Sequence, residues 1–228
     1  MSERGSTDGG RGDVTRRRLV EAAVKVFGEN GYHGVGTRDL AEAAGANQAA
    51  IPYYFGGKEG LYRAAAEDVA AAGRDAFKPV LEKIDATALE SLDREELARL
   101  VRHVFSGLTR GFVGKLGEGH RAAFIVREQL QPGPAFEVLY EGYLRGVHEA
   151  VTRLVAVSRG HGPRSARATV EAHALIGAVL GFVVARETLQ QRVGWDGYTT
   201  RRVREIEDAT VGLALRALGL PDTEEVRS

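Results

Sequence analysis

Between Thr37 and Gly57 the chain offers two helices too short to be stable alone, broken at Gly45 and again at Gly56-Gly57. Helices of this length form only when packed on a neighbour. The neighbour is legible upstream: Leu19, Ala22, Ala23, Val26 and Phe27 recur at helical spacing and predict a first helix from about Val14 to Asn30, ended by Gly31. Thr37 is suited to cap a second helix with Asp39 in its first turn, while Leu40, Ala41 and Ala44 face inward. Asn47 is suited to cap a third, from Gln48 to about Tyr54. A fourth starts at Lys58 and extends to about Asp85, with a kink expected at Pro79. Two short helices joined by a tight turn and braced by a first are the helix-turn-helix pattern, although a plain three-helix packing unit has the same periodicity.

Beyond Asp85 the reading stays helical, with expected helices Asp93–Val113, Gly119–Gln131, Pro134–Ser158, Ser165–Val193 and Thr199–Leu218. The fold class is therefore all-α. The expected organisation is a disordered tail over 1–13, a DNA-binding domain over 14–60, a helical domain over 61–220, and a frayed tail over 221–228. With no cysteine, disulfides, thiol chemistry and Cys-based zinc sites are excluded. No apolar run, the longest being Ala174 to Ala185, reaches the ~20 residues that span a bilayer, and the polar N-terminus lacks the apolar core of a signal peptide. A cytoplasmic protein with no membrane partner is expected. The formal net charge is zero, so bulk charge does not advertise a nucleic acid.

From Thr37 to Tyr62 the sequence is TRDLAEAAGANQAAIPYYFGGKEGLY, and here the chain resembles the TetR family of bacterial regulators. Thr37, Leu40, Ala41, Ala44-Gly45, Ile51, Tyr53, Phe55, Lys58-Glu59 and Leu61 match that family's motif, and Phe27, Gly31 and Tyr32 fit the preceding helix. The resemblance covers roughly residues 15 to 62. It implies a homodimer that binds a double-stranded DNA operator and releases it on binding a small-molecule effector, here of unknown identity. Repression is what the resemblance implies by default. It also implies a dimer interface from the last two long helices, about Ser165–Val193 and Thr199–Leu218, with the small-residue face Ala172, Ile176, Val179, Leu180 and Val183 permitting close packing.

The expected DNA-binding residues are Thr37, Arg38, Asn47, Gln48, Ala49, Tyr53, Tyr54 and Lys58. A cation at a helix N-terminus opposes the macrodipole, and a phosphate there removes the conflict, so Lys58 is read as a phosphate clamp; an exposed lysine tolerated at small cost is the alternative. Tyr53 and Tyr54 can donate to phosphates, with Phe55 the expected core ring. Asn47 and Gln48 can each contact adenine bidentately, Ala49 can meet a thymine methyl, and Arg38 can reach guanine or a phosphate. Arg16, Arg17 and Arg18 are either a second backbone contact or a solvated charge run. Residues 1–62 hold eight Lys/Arg and eight Asp/Glu, so affinity must come from placement. Pro52 stands where the family usually has tyrosine, and a distorted or 3₁₀-like recognition helix is expected from it.

In the C-terminal portion, AAFIVREQLQPGPAF (122–136), ALIGAVLGF (174–182) and VGW (193–195) resemble one branch of the same family. The expected ligand-binding residues are Phe105, Phe124, Arg127, Glu128, Tyr143 and His173. Arg127 and Glu128 form either a structural ion pair or a polar anchor in a pocket, since buried charges must be paired. Paired Glu-x-x-His motifs, His-Glu-x-x-His, Gly-x-Ser-x-Gly and phosphate-binding Gly loops are all absent, so no catalytic residue, metal or cofactor is expected. A competing reading is a helical dimeric interaction protein whose helix-turn-helix no longer binds DNA.

Overall fold

The computed structural model describes residues 8–115, 119–162 and 164–222, and these are helical with no strand among them. The order is α1 (Asp8–Asn30), α2 (Thr37–Ala43), α3 (Ala50–Phe55), α4 (Lys58–Asp85), α5 (Arg94–Thr109), α6 (Gly119–Leu130), α7 (Phe136–Leu139), α8 (Arg145–Arg159), α9 (Ala166–Val184), α10 (Arg186–Val193) and α11 (Thr200–Leu218). Two π-helical segments interrupt this series: Arg110–Lys115 follows α5, and Tyr140–Leu144 joins α7 to α8. Helix α4 runs through Pro79 without a break.

Several boundaries differ from expectation. Helix α1 begins at Asp8, so residues 8–13 of the expected tail are helical, while residues 1–7 and 223–228 lie outside the described residues. The single long helix expected over 165–193 breaks at Ala185, whose φ of −104° and ψ of 29° leave the helical region. Three later helices carry side-chain caps. Asp93 and Glu96 form a reciprocal capping box (2.8 and 2.9 Å) at α5, and Ser165 and Thr199 accept from Ala168 and Arg202 backbone N–H groups at α9 and α11.

The chain forms two compact units, one within residues 1–72 and 119–142, the other within 73–118 and 143–228. The first contains α1–α3, the start of α4, and α6 and α7. The domain boundary expected after residue 60 thus falls within α4, and α6 returns to join the N-terminal helices. Its core is built from Leu19, Ala23, Phe27, Leu40, Ile51, Leu61, Tyr62 and Phe124, all at most 2% exposed. Helices α1 and α6 cross at Gly28, where a Cβ would lie 2.9 Å from the His120 carbonyl oxygen and 3.1 Å from the Phe124 nitrogen. Only a glycine permits that approach.

The second unit packs α5 on α11 and α8 on α9. Phe77, Val101, Val104, Phe105, Leu154, Ala172 and Leu215 are sealed in its interior, and the hydroxyls of Thr109 and Thr210 pair at 2.7 Å between α5 and α11. The inner face of α9 is Ala172, Ile176 and Val179, each at most 2% exposed within the chain's own fold. This corrects the expectation that these residues meet a partner. The opposite stripe, Val170, Ala174, Gly177, Gly181 and Val184, is exposed. Helix α9, at 19 residues and mean hydropathy 1.5, reaches a span's length and apolarity by composition alone, but it carries Arg167 and Glu171 and packs on α8, as a core helix does.

Gly28→Ala is expected to destabilise the protein by about 1–3 kcal/mol through overpacking. Gly146→Ala in α8, where a Cβ meets only Leu81 Cδ1 at 3.7 Å, is expected to stabilise by about 0.5–1 kcal/mol through helix propensity. Denaturant melts of the two variants, moving in opposite directions, check the crossing.

Candidate nucleic-acid interface

Helix α2 starts one residue earlier than Thr37 was expected to make it. Gly36 is the N-cap, and its N–H donates to Asp39 Oδ2 at 2.8 Å, fixing the start from below. Thr37 is therefore the first helical residue rather than the cap, and its hydroxyl accepts from Gln48 Nε2 at 2.9 Å. One of the expected base-reading side chains is thereby braced against the expected phosphate-contacting one.

The turn reverses at Gly45 (φ +57°), where a Cβ would lie 2.6 Å from an Arg18 guanidinium nitrogen, and Arg18 donates to the Gly45 carbonyl at 3.4 Å. Asn47 does not cap α3 directly. Its Oδ1 accepts from the Ala49 N–H at 2.9 Å, an Asx turn that lets the helix begin at Ala50. Asn47, Gln48 and Ala49 thus stand exposed on the turn ahead of α3.

The distortion expected from Pro52 is not found in the helix itself. Two i→i+3 bonds, Ala50 N to Asn47 O (2.9 Å) and Ile51 N to Gln48 O (3.2 Å), wind the lead-in tightly. The Tyr53 N–H then reaches Ala49 O at 3.3 Å, and α-helical geometry passes through Pro52. Pro52 occupies the third helical position, where the missing N–H is an orphan of the first turn in any case. Phe55 is half-buried beneath the Arg16 guanidinium (5.4 Å), and Ile51 is the buried anchor of α3. This corrects the assignment of Phe55 to the core: the helix is too short to turn both residues fully inward.

Tyr53 is 80% exposed, with Tyr54 edge-on to it at 4.8 Å. Arg38 is exposed on α2. Lys58, at the start of α4, holds its Nζ 4.4 Å above the Tyr32 ring, a cation–π contact that orients it. Beside the turn, Thr15, Arg18, Gly45, Asn47, Tyr53 and Tyr54 line an open cleft of about 570 Å³. Tyr32 and Arg18 emerge here as positioning groups that periodicity alone could not assign.

The six expected ligand-binding residues are divided between the two units. Phe124, Arg127 and Glu128 belong to the first unit, and Phe105, Tyr143 and His173 to the second. Arg127 donates to the Gly28 carbonyl (3.1 Å) and the Glu29 carbonyl (2.8 Å) at the end of α1. Glu128, 2% exposed, accepts from the Tyr62 hydroxyl and from the Gly133 N–H. Each has backbone or tyrosine partners in place of the expected ion pair. Burial, reinforced by the Glu128 carboxylate, pushes the Tyr62 hydroxyl pKa well up, so it stays a donor. Phe105 is a core residue. His173 is exposed and stacks on His148 at 5.2 Å, and burial, then the neighbouring His173, lowers the His148 pKa. Among the described residues no group of three or more His, Asp or Glu is placed to hold a metal ion.

Comparison with known proteins agrees with the geometry. Residues 19–65 match the family of bacterial regulatory proteins termed tetR, and residues 94–219 match the C-terminal domain of the HTH-type transcriptional dual regulator CecR. The chain is 33% identical over 201 residues to the CecR regulator of Shigella flexneri, covering 86% of this chain and 87% of that one. It is 42% identical over 57 residues to the transcriptional repressor AcnR of Corynebacterium glutamicum, which covers 25% of this chain and 30% of AcnR. In fold it resembles a TetR-like regulator from Rhodococcus sp. RHA1 (TM-score 0.62, 21% identity, 90% of this chain and 96% of that one). It also resembles AibR, solved with isovaleryl coenzyme A and operator DNA (TM-score 0.57, 19% identity, 87% and 97% covered). A helix-turn-helix head with exposed polar groups at its turn, joined to a CecR-type helical domain, places this chain in the TetR family of DNA-binding transcriptional regulators.

Proposed function

We propose that this protein is a homodimeric repressor, acting in the cytoplasm, that leaves its operator when a small-molecule effector binds. The observation that carries the DNA reading is the exposed group at the turn: Arg38, Asn47, Gln48, Ala49 and Tyr53 all face solvent together, flanked by Lys58 on its aromatic seat. Base edges would be read by Asn47, Gln48 and Ala49, and phosphates held by Thr37, Tyr53, Tyr54 and Lys58, with Arg38 serving either. The repressor relative AcnR and the AibR complex with both a coenzyme A ester and DNA support the ligand-released reading.

A dimer follows from operator geometry, since paired half-sites lie roughly 34–36 Å apart along the duplex or at multiples of that. The exposed α9 stripe supports it. Val170 and Val184 are 69% and 61% exposed, on the same face as Gly177 and Gly181, beside which a partner helix could approach closely. Control by an effector then needs differential affinity for the DNA-competent and released states. Helix α4, whose residues are divided between the two units, is the element through which such a shift would reach Lys58.

Fluorescence anisotropy against the DNA flanking the protein's own gene, at several salt concentrations, tests the interface. Lys58→Ala should weaken binding and reduce the salt slope by about 1, as expected for one lost phosphate contact. Tyr53→Phe should cost about 0.5–1.5 kcal/mol with the slope unchanged, because a neutral donor releases no counterion. An interaction protein without DNA affinity would show no salt-dependent binding at all.

Gln48→Ala should relax preference at one base pair, at a cost of about 1–3 kcal/mol, with Thr37→Val giving a smaller loss at the same position because it frees the Gln48 amide. Binding to a set of single-base operator variants reads both effects. For the dimer, Val170→Glu with Val184→Glu should give a monomer in sedimentation velocity and lose operator affinity, while the helical circular-dichroism signal is retained.

A further inference from the structure

The second unit holds a buried hydroxyl with nothing to bond. Tyr143 is 3% exposed, and its OH has no hydrogen-bond partner among the described residues. Buried polar groups are ordinarily satisfied, so an orphan of this kind calls for a cause. The ring is tightly placed. It lies against α4 at Gly73, where a Cβ would come within 2.7 Å of Tyr143 Cγ and 2.8 Å of both Cδ atoms. It stacks on Phe77 (6.0 Å between centroids, 11° between planes), and Phe77 meets Phe112 at 4.5 Å. Gly111 makes room for Phe77, since a Cβ there would stand 2.3 Å from Phe77 Cε1.

Tyr143 and Phe112 sit on the two π-helical segments, Tyr140–Leu144 and Arg110–Lys115. Such segments recur at functional sites, because the extra residue breaks the regular ladder and redirects side chains. Two of them converge here on one aromatic cluster with two glycine seats. The ring's partners are apolar, Gly73 and Phe77 with Phe112 behind it, and burial raises the Tyr143 hydroxyl's pKa. Desolvation against these rings disfavours a charged ligand.

We propose that the Tyr143 hydroxyl is the polar anchor of the effector site, and that the effector is a neutral, largely apolar molecule presenting a carbonyl-type hydrogen-bond acceptor, with Phe77 and Phe112 as its apolar neighbours. This rests on the reading of the protein as an effector-controlled regulator. In the ligand-free protein this donor has no partner among the described residues, and binding satisfies it. The acceptor thus adds affinity without having to displace an existing bond, and a ligand lacking the acceptor gains only from apolar contact.

Calorimetric titration of the full-length protein with acetophenone, ethylbenzene and benzoate tests the assignment, beside the Tyr143→Phe variant. Acetophenone and ethylbenzene share a shape and differ in the acceptor; benzoate adds a charge. Acetophenone should bind the wild type about fivefold to tenfold more tightly than it binds the variant. Ethylbenzene should bind both equally, and benzoate neither. The melting temperature of ligand-free Tyr143→Phe should equal or exceed that of the wild type, since the hydroxyl it removes has no partner. Equal acetophenone affinity in the two proteins, no saturable acetophenone binding to the wild type, or a lowered melting temperature in the variant would overturn the proposal. Operator binding by the ligand-free variant, measured separately, should match the wild type. Absence of DNA binding in both proteins would sink the regulator reading, while the calorimetric titration would still decide whether Tyr143 anchors a ligand.

Discussion

The guanidinium of Arg127 reaches from α6 to the last turn of α1 and donates to two carbonyls that the helix itself cannot satisfy. A cation at that end also complements the macrodipole. The contact is possible because α6 lies unusually close to α1, and α6 lies that close because Gly28 has no side chain. Around this crossing the first unit is assembled. Phe124 meets Tyr62 at 5.3 Å, Tyr62 meets Phe27 at 4.6 Å, and the Tyr62 hydroxyl is held by Glu128. Tyr32 joins the same cluster, 4.8 Å from Tyr62, and carries Lys58 on its outer face. A chain of packed rings thus leads from the buried Glu128 to the half-buried Lys58. The side chains that read as phosphate contacts are positioned by groups well inside the unit, and α6 is as much a part of the DNA-binding head as α1.

Placement also resolves the problem of charge. Basic and acidic residues balance over residues 1–62, so no broad positive field draws the head to DNA. What the structure supplies instead is local. Lys58 is held at the α4 N-terminus by the Tyr32 ring, and Arg18 is drawn to the Gly45 carbonyl beside the cleft. Thr37 holds the Gln48 amide, so the side chain proposed to read a base is ordered before any contact is made. Preorganisation of this kind lowers the ordering cost of association, and a neutral head lowers non-specific binding to other duplexes. A head with balanced charge and fixed polar groups is suited to discrimination more than to raw affinity.

Much of this was legible in the sequence, and the parts that were not share a physical cause. Helix existence followed from apolar periodicity and glycine punctuation, and α5, α9 and α11 begin within one residue of the expected Asp93, Ser165 and Thr199. The family followed from the spacing of Thr37, Gly45, Tyr53 and Lys58. What failed depended on partners distant in sequence or on one residue of phase. Thr37 lost its capping role because Asp39 ties back to Gly36. Asn47 serves its own turn, and α3 begins at Ala50. Pro52 leaves α3 helical because the start had moved, placing it within the first turn. Arg127 and Glu128 read as a pair because they are adjacent, yet adjacent residues on a helix point apart, and each found a partner elsewhere. On α9, a helix apolar nearly all round, composition could not say which face its own chain would cover.

Two features of the second unit are unfavourable for an isolated, ligand-free chain. The outer stripe of α9 leaves Val170 and Val184 in water, and Tyr143 keeps its hydroxyl unbonded in an apolar interior. Neither would persist if folding stability alone shaped the sequence, since a polar residue on the stripe and a phenylalanine at 143 would each relieve the conflict. Both make sense if the unit is incomplete without something else: a second copy for the stripe, a small molecule for the hydroxyl. The two differ in consequence. Burying an apolar stripe is non-directional and favours a standing assembly, whereas satisfying a single donor is conditional on a ligand with the right atom. A regulator needs one of each kind, a permanent interaction that sets the spacing of its reading heads and an occasional one that changes it. The physical chemistry of the second unit, one long apolar surface and one solitary polar atom, divides along that line.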